Sequence, residues 1–254
     1  MIIYTLINQK GGVGKTTTAI NLGACLAKHG KRVLIVDMDP QANATSSLGY
    51  NKNDVKYGTY GVLIGEAAIE QQILRNDNFN LSLLPAAPAL AGAEIELIQL
   101  QDRELRLSNA LKSVSDRFDY VLIDCPPSLN QLTINALIAA QNGVIIPVQC
   151  EFYALEGIGQ LLSTIREIKK TFNRNLYIEG GLLTMYDART TLSKEVSNNV
   201  RAWFKDTVYK AYIPHNVKLA EAPSYGVSIF EHEPRSEGAK GYALVAKELI
   251  ARNS

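Results

Sequence analysis

A glycine-rich stretch between an apolar run and a helical run is the feature that most limits how this chain folds. The run at 2–7 predicts a buried strand, the run at 19–28 predicts a helix, and residues 8–18 read Asn-Gln-Lys-Gly-Gly-Val-Gly-Lys-Thr-Thr-Thr. The glycines let main-chain N–H groups curl around an anion without obstruction by Cβ, and the positive end of the helix points at the same place. The stretch therefore predicts a loop that binds a polyphosphate.

The lysines and threonines of this loop suit a nucleotide. Lys15 would reach the β- and γ-phosphates, and the Thr16 hydroxyl would ligate the Mg²⁺ that bridges them. The loop departs from Gly-x-x-x-x-Gly-Lys-Thr at its first position, where Gln9 stands, and it carries a second lysine, Lys10. Because Lys15 would repel a second cation unless more negative charge were near, we expect Lys10 to contact a triphosphate, in its own chain or in a neighbouring one.

Three aspartates follow apolar runs at the point where the predicted strands end. Asp37 and Asp39 follow the run at 32–36, and Asp124 closes a later one. Because ligands of parallel sheets lie beyond the carboxyl ends of the strands, we expect these carboxylates near the phosphates. We predict that Asp124 holds Mg²⁺ through water and that Asp37 is a further candidate for the metal.

A carboxylate is also needed to position the attacking water in nucleotide hydrolysis. Many proteins with such loops place a glutamate directly after the aspartate that holds the metal, but here Cys125 follows Asp124. Another carboxylate must take this role, and the candidate is Asp39.

Apolar and amphipathic runs alternate along the rest of the chain. Strands are predicted at 81–85, 120–124, 143–148, 178–184 and 208–213, and helices at 89–99, 102–115, 154–171, 190–205 and 237–252, whereas the polar segment 43–78 has a weakly helical part at 60–74 and no assigned chemistry. Since no linker-like segment interrupts the alternation, we predict one domain over 1–254. Its fold would be α/β, a doubly wound, mostly parallel sheet flanked by helices on both faces.

Charge is spread unevenly along the chain. The formal net charge is +1, yet residues 160–218 hold 10 Lys and Arg against 5 Asp and Glu, whereas residues 51–159 hold 7 against 13. A basic region of this kind can hold an anionic polymer on one face of the protein. It can equally be a solvated helix surface, and the composition does not separate the two.

Cysteine spacing and hydropathy exclude several classes of protein. Cys25, Cys125 and Cys150 are widely spaced and match neither a disulfide framework nor a metal site, so we predict buried thiols. No apolar run approaches the roughly 20 residues that cross a bilayer. The N-terminus enters a strand at once, without a charged region or a cleavage site. We therefore expect a cytoplasmic protein with no membrane partner.

The motifs in combination resemble the small ParA/Soj-type partition ATPases, within the ParA/MinD family of deviant Walker A proteins. The stretches that carry the resemblance are Lys-Gly-Gly-Val-Gly-Lys-Thr-Thr-Thr at 10–18, Val-Asp-Met-Asp-Pro-Gln at 36–41, Leu-Ala-Gly-Ala-Glu-Ile-Glu-Leu at 90–97, Ile-Asp-Cys-Pro-Pro-Ser at 123–128, Pro-Val-Gln-Cys-Glu at 147–151, Asp-Ala-Arg-Thr at 187–190 and Asn-Val-Lys-Leu-Ala-Glu-Ala-Pro-Ser at 216–224. They cover nearly the whole chain.

The resemblance implies a P-loop NTPase of the deviant Walker A type, an ATPase that uses ATP and Mg²⁺. Lys10 and Lys15 would act in catalysis with Asp39, and Lys10 would do so across a nucleotide-sandwich homodimer that forms with ATP. Pro214 and Asn216 would flank the adenine. The implied nucleotide contacts are Lys10, Gly11, Gly12, Val13, Gly14, Lys15, Thr16, Thr17, Pro214 and Asn216.

The resemblance also implies partners. Arg189 and Lys218 would contact the phosphates of non-specific double-stranded DNA, which places the protein in the cytoplasm in association with the nucleoid. A centromere-binding partner of ParB/Spo0J type would stimulate hydrolysis and release the DNA, so that chromosome or plasmid origins are segregated.

Other proteins with related sequences remain as alternatives. A ParA-like positioner of a protein cargo would have the same ATPase and DNA chemistry. A MinD-like membrane ATPase would end in a basic amphipathic helix, whereas the run at 242–250 is typical of a packing helix. A redox ATPase like the nitrogenase iron protein would need two cluster-ligating cysteines near the dimer axis, and only Cys125 is expected near the nucleotide.

Overall fold

Seven strands form a single sheet in the computed structural model, which describes residues 1–76, 80–151 and 157–253. The strands are β1 (Ile2–Leu6), β2 (Val33–Asp37), β3 (Leu74–Asn76), β4 (Leu81–Leu84), β5 (Tyr120–Asp124), β6 (Val144–Gln149) and β7 (Ile178–Thr184). Their order across the sheet is β3-β4-β2-β5-β1-β6-β7, and among these strands only β3, at the edge, runs antiparallel to its neighbour. The predicted doubly wound, mostly parallel sheet is confirmed.

Helices cover both faces of this sheet. They are α1 (Lys15–Lys28), α2 (Asn43–Ser47), α3 (Gly58–Ile64), α4 (Ile69–Gln72), α5 (Leu90–Glu96), α6 (Arg106–Lys112), α7 (Gln131–Ala139), α8 (Ile158–Thr171), α9 (Thr191–Phe204), α10 (Val217–Glu221), α11 (Ile229–His232) and α12 (Glu237–Arg252). Leu34 and Val36 of β2 pack into a cluster with α5 to α9, whereas Val33 and Ile35 pack into a second cluster with α1 and α12. Successive side chains of a strand point to opposite faces, so β2, which is apolar from Val33 to Val36 and buried throughout, fits a sheet that is covered on both faces.

The strand register gathers the predicted site residues at one edge. Leu6, the last residue of β1, pairs with Asp124 of β5, and Asp124 pairs with Asp37 of β2. The loop that follows β1 therefore leaves the sheet beside both carboxylates. In the part of the chain that the structure describes, no helix is long and apolar enough to cross a membrane.

The predicted strand at 208–213 is wrong. Tyr209 donates its N–H to the carbonyl of Gly181, and Ile213 donates to that of Leu183, so the segment does follow the edge of β7. Tyr209 and Ile213 are four residues apart, whereas their acceptors, Gly181 and Leu183, are only two apart. A regular ladder pairs equal numbers of residues on both chains. The extra residues between Tyr209 and Ile213 therefore bend away from β7, and no strand forms.

Helix boundaries differ from prediction at several places. The weak helix predicted at 60–74 is two short helices, α3 and α4, followed by β3. The helix predicted at 102–115 is limited to α6, and Asp102, at the predicted start, adopts a positive φ of 51° that a regular helix does not accept. Helices α2, α7, α10 and α11 were not predicted. Residues 154–156 of the helix predicted at 154–171, and 77–78 of the segment without assigned chemistry, lie outside the described residues.

A charged cluster joins the end of α12 to the edge of the sheet. The Glu248 carboxylate accepts the N–H groups of Lys210 and Ala211 and also binds the Arg252 guanidinium at 2.7 Å. Arg252 in turn donates to the carbonyl of Glu179 at 2.8 Å and lies 3.2 Å from its carboxylate, which is 7% exposed. Arg252 therefore pairs with a buried carboxylate that has few other ways to be neutralised.

We expect Arg252→Ala to lower the free energy of unfolding by about 2 kcal/mol, because removing one member of a buried pair leaves the other charge uncompensated, although partial exposure of Arg252 reduces the loss. Lys240→Ala is the matched control, since Lys240 pairs with Glu237 on the same helix and both side chains are more than 60% exposed. Urea unfolding of the two variants measures the difference. Equal stabilities would show that Glu179 does not depend on Arg252.

Candidate functional site

The loop between β1 and α1 borders a cavity of 390 Å³ at the carboxyl edge of the sheet. Its lining consists of Gly11, Gly12, Gly14, Lys15, Thr16, Thr17, Asp39, Gln41, Asn43, Ser47, Pro127 and Met185. Gly12 and Gly14 have φ angles of +75° and +88°, which disfavour any residue with a side chain. Because Gly14 directly precedes α1, the first turn of that helix faces the cavity, with the N–H groups that an anion binds.

Two buried polar side chains hold the loop in position. Asn8 accepts the N–H of Lys10 at 3.0 Å and donates to the carbonyl of Pro147 in β6 at 2.8 Å. The Thr184 hydroxyl, at the end of β7, donates to the carbonyl of Val13 at 2.8 Å. Neither loop-positioning role was predicted from the sequence. Asn8 and Thr184 stand near the carboxyl ends of strands, and this position is the signal that could have indicated them.

The predicted metal ligands meet within the site. The Thr16 hydroxyl donates to Asp124 Oδ2 at 2.6 Å, and Asp124 is fully buried. The other oxygen, Oδ1, is buried and has no hydrogen-bond partner among the described residues. Burial, and next the nearby Asp37, raise the pKa of Asp124 well above its usual value. An unpartnered buried carboxylate oxygen beside a hydroxyl fits a hydrated Mg²⁺, which prefers oxygen ligands and usually takes only one or two carboxylates from a protein.

Asp37 and Asp39 occupy different environments. Asp39 lines the cavity and accepts the N–H of Gln41 at 2.9 Å. Asp37 is fully buried, does not line the cavity, and accepts the N–H and the hydroxyl of Thr45, each at 2.8 Å, and the N–H of Asp39. Burial raises the pKa of Asp37 to about 6. Asp39 thus lies at the cavity of 390 Å³, which is called the phosphate cavity below, whereas Asp37 orders the loop that carries Asp39.

The two lysines of the loop also separate. Lys15 is 7% exposed and lines the cavity, where its amino group donates to the carbonyl of Lys10 at 3.1 Å. Burial lowers the pKa of Lys15, and the charge of Asp124 partly offsets this. The Lys10 side chain does not line the cavity, and its amino group lies 3.6 Å from the Glu151 carboxylate. The Lys15 side chain therefore borders the cavity of its own chain, and the Lys10 side chain does not.

A second cavity of 220 Å³ adjoins the first. Its lining consists of Gly14, Thr17, Thr184, Met185, Ile213, Pro214, His215, Asn216, Val217, Leu219, Ala220 and Tyr242. The lining is mostly apolar, which suits a flat base, and it contains both residues expected at the adenine, Pro214 and Asn216. His215 and Tyr242 were missed, and no pattern in the sequence indicates Tyr242, which α12 brings from far along the chain.

The structure places the two residues expected to contact DNA outside both cavities. Arg189 donates from Nε and Nη2 to the two carboxylate oxygens of Asp187, at 2.9 and 2.7 Å. The Lys218 amino group lies 2.8 Å from the Glu221 carboxylate. Both residues lie close in the sequence to the second cavity, because Met185 precedes Arg189 by four positions and Lys218 stands between Val217 and Leu219, which line that cavity.

The three cysteines are buried and free, as predicted. Cys125 follows Asp124 directly, and burial, and next the charge of Asp124, raise the pKa of its thiol well above the usual range. The neutral thiol cannot take the place of the glutamate that stands here in many nucleotide-hydrolysing proteins.

Comparisons with known proteins identify the family. A family model described as an AAA domain matches residues 1–178. The chain is 55% identical to the sporulation initiation inhibitor protein Soj of Bacillus subtilis, over 98% of each chain. It is 45% identical to the chromosome partitioning protein ParA of Myxococcus xanthus, over 99% of this chain and 89% of that protein.

Solved structures give the same result for the fold. The cobyrinic acid a,c-diamide synthase of Mycobacterium smegmatis, solved with a bound ATP analogue and magnesium, has a TM-score of 0.88 and 38% identity, over 99% of this chain and 95% of that chain. The predicted resemblance and the P-loop fold are thereby confirmed, and the chain belongs to the ParA/Soj family of chromosome-partitioning ATPases.

Proposed function

We propose that residues 1–254 act as one ATPase domain that binds Mg·ATP, dimerises with it, and then binds DNA without reading its sequence. The observation that carries this proposal is the preformed phosphate cavity, which is lined by Lys15 and by Thr16, the residue that hydrogen-bonds the buried Asp124, and which adjoins an apolar cavity of base size. The names of the Soj and ParA relatives support partition of DNA as the process served.

Each part of the nucleotide would find a matching part of the site. The N–H groups of residues 11–17 would bind the phosphates, and the Lys15 amino group would exchange the Lys10 carbonyl for phosphate oxygens. Thr16 would hold Mg²⁺ directly and Asp124 through water, and the bound ion would neutralise charge on the phosphates. Pro214 and Asn216 would flank the adenine. The ATP analogue and magnesium in the M. smegmatis structure support this pair of ligands.

Asp39 is the group best placed to orient the attacking water. Among the described residues that line the phosphate cavity, Asp39 alone has a carboxylate. Asp39 is 7% exposed, and among the described residues its carboxylate accepts one hydrogen bond, from the Gln41 N–H, which leaves its other oxygen for water. A carboxylate that accepts a hydrogen bond from water there would assist attack on the terminal phosphate.

We expect Asp39→Ala to bind ATP with an affinity near that of the wild type but to hydrolyse it about 10² to 10⁴ times more slowly, because a positioned general base contributes on this scale. Phosphate release under single-turnover conditions measures the chemical step separately from binding. Asp54→Ala, which removes an exposed aspartate, is the control. Hydrolysis by Asp39→Ala at the wild-type rate would assign the role to a different group.

Lys10 is suited to act on a second chain. Its side chain is 31% exposed, it lies outside its own phosphate cavity, and its ion pair with the half-exposed Glu151 is loose at 3.6 Å. Exposed ion pairs of this kind contribute little, so the amino group can exchange Glu151 for a stronger anion. In an ATP-bound dimer of facing subunits, that anion would be the triphosphate of the other chain.

Lys10→Ala should bind ATP but dimerise at least about 100-fold more weakly, because two symmetric charge-assisted contacts with phosphate are lost and each contributes roughly tenfold or more. Sedimentation velocity with ATP and with ADP measures the monomer–dimer equilibrium. Lys31→Ala is the control for loss of one surface cation. If Lys10→Ala forms dimers at the wild-type concentration, the lysine does not cross between subunits.

DNA binding is proposed for the surface that holds Arg189 and Lys218. It is supported by the excess of basic residues in 160–218 and by the closeness of both residues in the sequence to residues that line the second cavity. Arg189 has 89% of its side chain exposed, and Lys218 has 46%. Dimerisation would bring two copies of this surface together, and a ParB/Spo0J-type partner would release the DNA by stimulating hydrolysis. Because contacts with phosphate carry no sequence information, such a surface would bind any accessible DNA duplex and would place the protein on the nucleoid.

Arg189→Glu combined with Lys218→Glu should abolish or greatly weaken ATP-dependent binding to random-sequence duplex without changing dimerisation. Four phosphate contacts per dimer would be lost, and each changes the slope of log K against log salt by roughly 0.9, so residual binding should have a slope smaller by about 3 to 4. Fluorescence anisotropy over a salt series measures both quantities.

The control for this charge reversal is Lys112→Glu combined with Arg117→Glu, which changes net charge equally within the acidic segment 51–159. Wild-type affinity in the Arg189 and Lys218 variant would place the DNA surface elsewhere, and binding that ignores the nucleotide would contradict its dependence on the dimer.

A further inference from the structure

Each of the two proposed DNA-binding cations is held by a carboxylate of its own chain. Arg189 makes three hydrogen bonds to Asp187, from its main-chain N–H at 3.0 Å, from Nε at 2.9 Å and from Nη2 at 2.7 Å. Lys218 donates to Glu221 at 2.8 Å. Phosphate oxygens and carboxylate oxygens compete for the same donors with the same geometry, so these contacts oppose binding to DNA.

The carboxylates are the fixed members of the pairs. Asp187 is anchored in its loop, where its N–H donates to Ser193 and its carbonyl accepts the N–H and hydroxyl of Thr190. The Arg189 side chain is far more exposed than that of Asp187, at 89% against 29%. When the guanidinium turns to a phosphate, Asp187 therefore stays in place, and its charge then lies close to the phosphate and repels it.

Glu221 has a similar arrangement. Its Oε2 oxygen lies 2.8 Å from Lys218 and 3.2 Å from the His232 ring, which stacks on Tyr225 with 4.8 Å between the ring centres. Hydrogen bonds from Lys218 and then from His232 lower the pKa of Glu221, and the bonds from Arg189 hold that of Asp187 at about 2. Both acids are thus ionised at neutral pH and keep their full competing charge.

Other cations of the basic segment are free of this restraint. Among the described residues, Arg166, Lys169 and Arg174 border an open surface depression on and after α8 and have no ion pair. Internal pairing is therefore not the general state of basic residues in 160–218. Among the basic residues of 160–218, an internal ion pair is found at Lys170, Arg189 and Lys218, and the last two are the positions where the proposed function needs a cation for phosphate.

We infer that Asp187 and Glu221 are affinity-setting residues of the DNA surface, which compete with DNA phosphate for Arg189 and Lys218 and keep binding weak enough to reverse. The inference rests on the proposed function, because it assumes that these cations meet DNA. A dimer would have to break four ion pairs, two in each chain, to bind DNA with all four cations. Removing the carboxylates should tighten binding, whereas carboxylates that merely hold the cations in a binding geometry would, when removed, weaken it.

The test uses Asp187→Asn combined with Glu221→Gln, which removes both charges and keeps the size of each side chain. With ATP, the affinity of this variant for random-sequence duplex should rise at least about fivefold, because four weak pairs and their repulsion of phosphate are removed together. The slope of log K against log salt should change by less than about 1, since the number of phosphate contacts stays the same.

The matched control is Glu167→Gln combined with Glu237→Gln. These glutamates also pair with lysines, Lys170 and Lys240, and their loss changes net charge by the same amount at other places on the surface. The single variants Asp187→Asn and Glu221→Gln, each checked by thermal unfolding, keep the test valid if the double variant folds poorly.

An affinity equal to that of the control, or weaker than that of the wild type, would overturn the inference. This outcome is separate from failure of the proposed function. If wild-type protein binds DNA with ATP and loses binding on reversal of Arg189 and Lys218, the DNA surface stands whatever the carboxylates do.

Discussion

The hydrogen bond from Thr16 to the buried carboxylate of Asp124 joins the glycine-rich loop and helix α1 to the centre of the sheet, and the arrangement of the site depends on this junction. Thr16 belongs to the first turn of α1, and Asp124 ends the central strand β5. The bond forms because β1 and β5 are parallel and in register up to Leu6 and Asp124, so the loop after β1 turns back over the end of β5. A buried carboxylate with one oxygen unpartnered is costly to keep, and it is retained where a cation can satisfy it.

The same edge of the sheet links the phosphate cavity to the more distant surfaces. Thr184 at the end of β7 binds the Val13 carbonyl, and Met185, the next residue, lines both cavities with a positive φ of 52°. The chain then pairs Tyr186 with Pro214 in an isolated bridge before it reaches Arg189. The segments 185–189 and 213–218 thus run side by side from the second cavity, and they carry the two proposed DNA-binding cations, Arg189 and Lys218. The N–H of Tyr186 donates to the carbonyl of Ile213, and the N–H of His215 donates to that of Tyr186, so hydrogen bonds join the two segments.

In the proposed function, attachment to DNA is made and undone repeatedly, and the surface chemistry suits this requirement. Exposed ion pairs are individually weak, so Asp187 and Glu221 can yield their cations to a polyanion of high charge density. Tight binding by unpaired cations would hold the protein on DNA after its nucleotide changed. A surface of paired cations would make binding depend on several of them acting together, and the proposed dimer would supply twice as many as a monomer.

The order of residues by itself determined the phosphate loop, the two carboxylates at the end of β2, the carboxylate of β5, and the α/β class, because each is local in sequence: glycines between a strand and a helix, or an aspartate after an apolar run. Only the tertiary structure decided which of Asp37 and Asp39 faces the phosphate cavity, that Tyr242 borders the second cavity, and that residues 208–213 form no strand. These outcomes depend on contacts between distant elements, such as Thr45 with Asp37 and Glu248 with Ala211, and local patterns carry no information about such contacts.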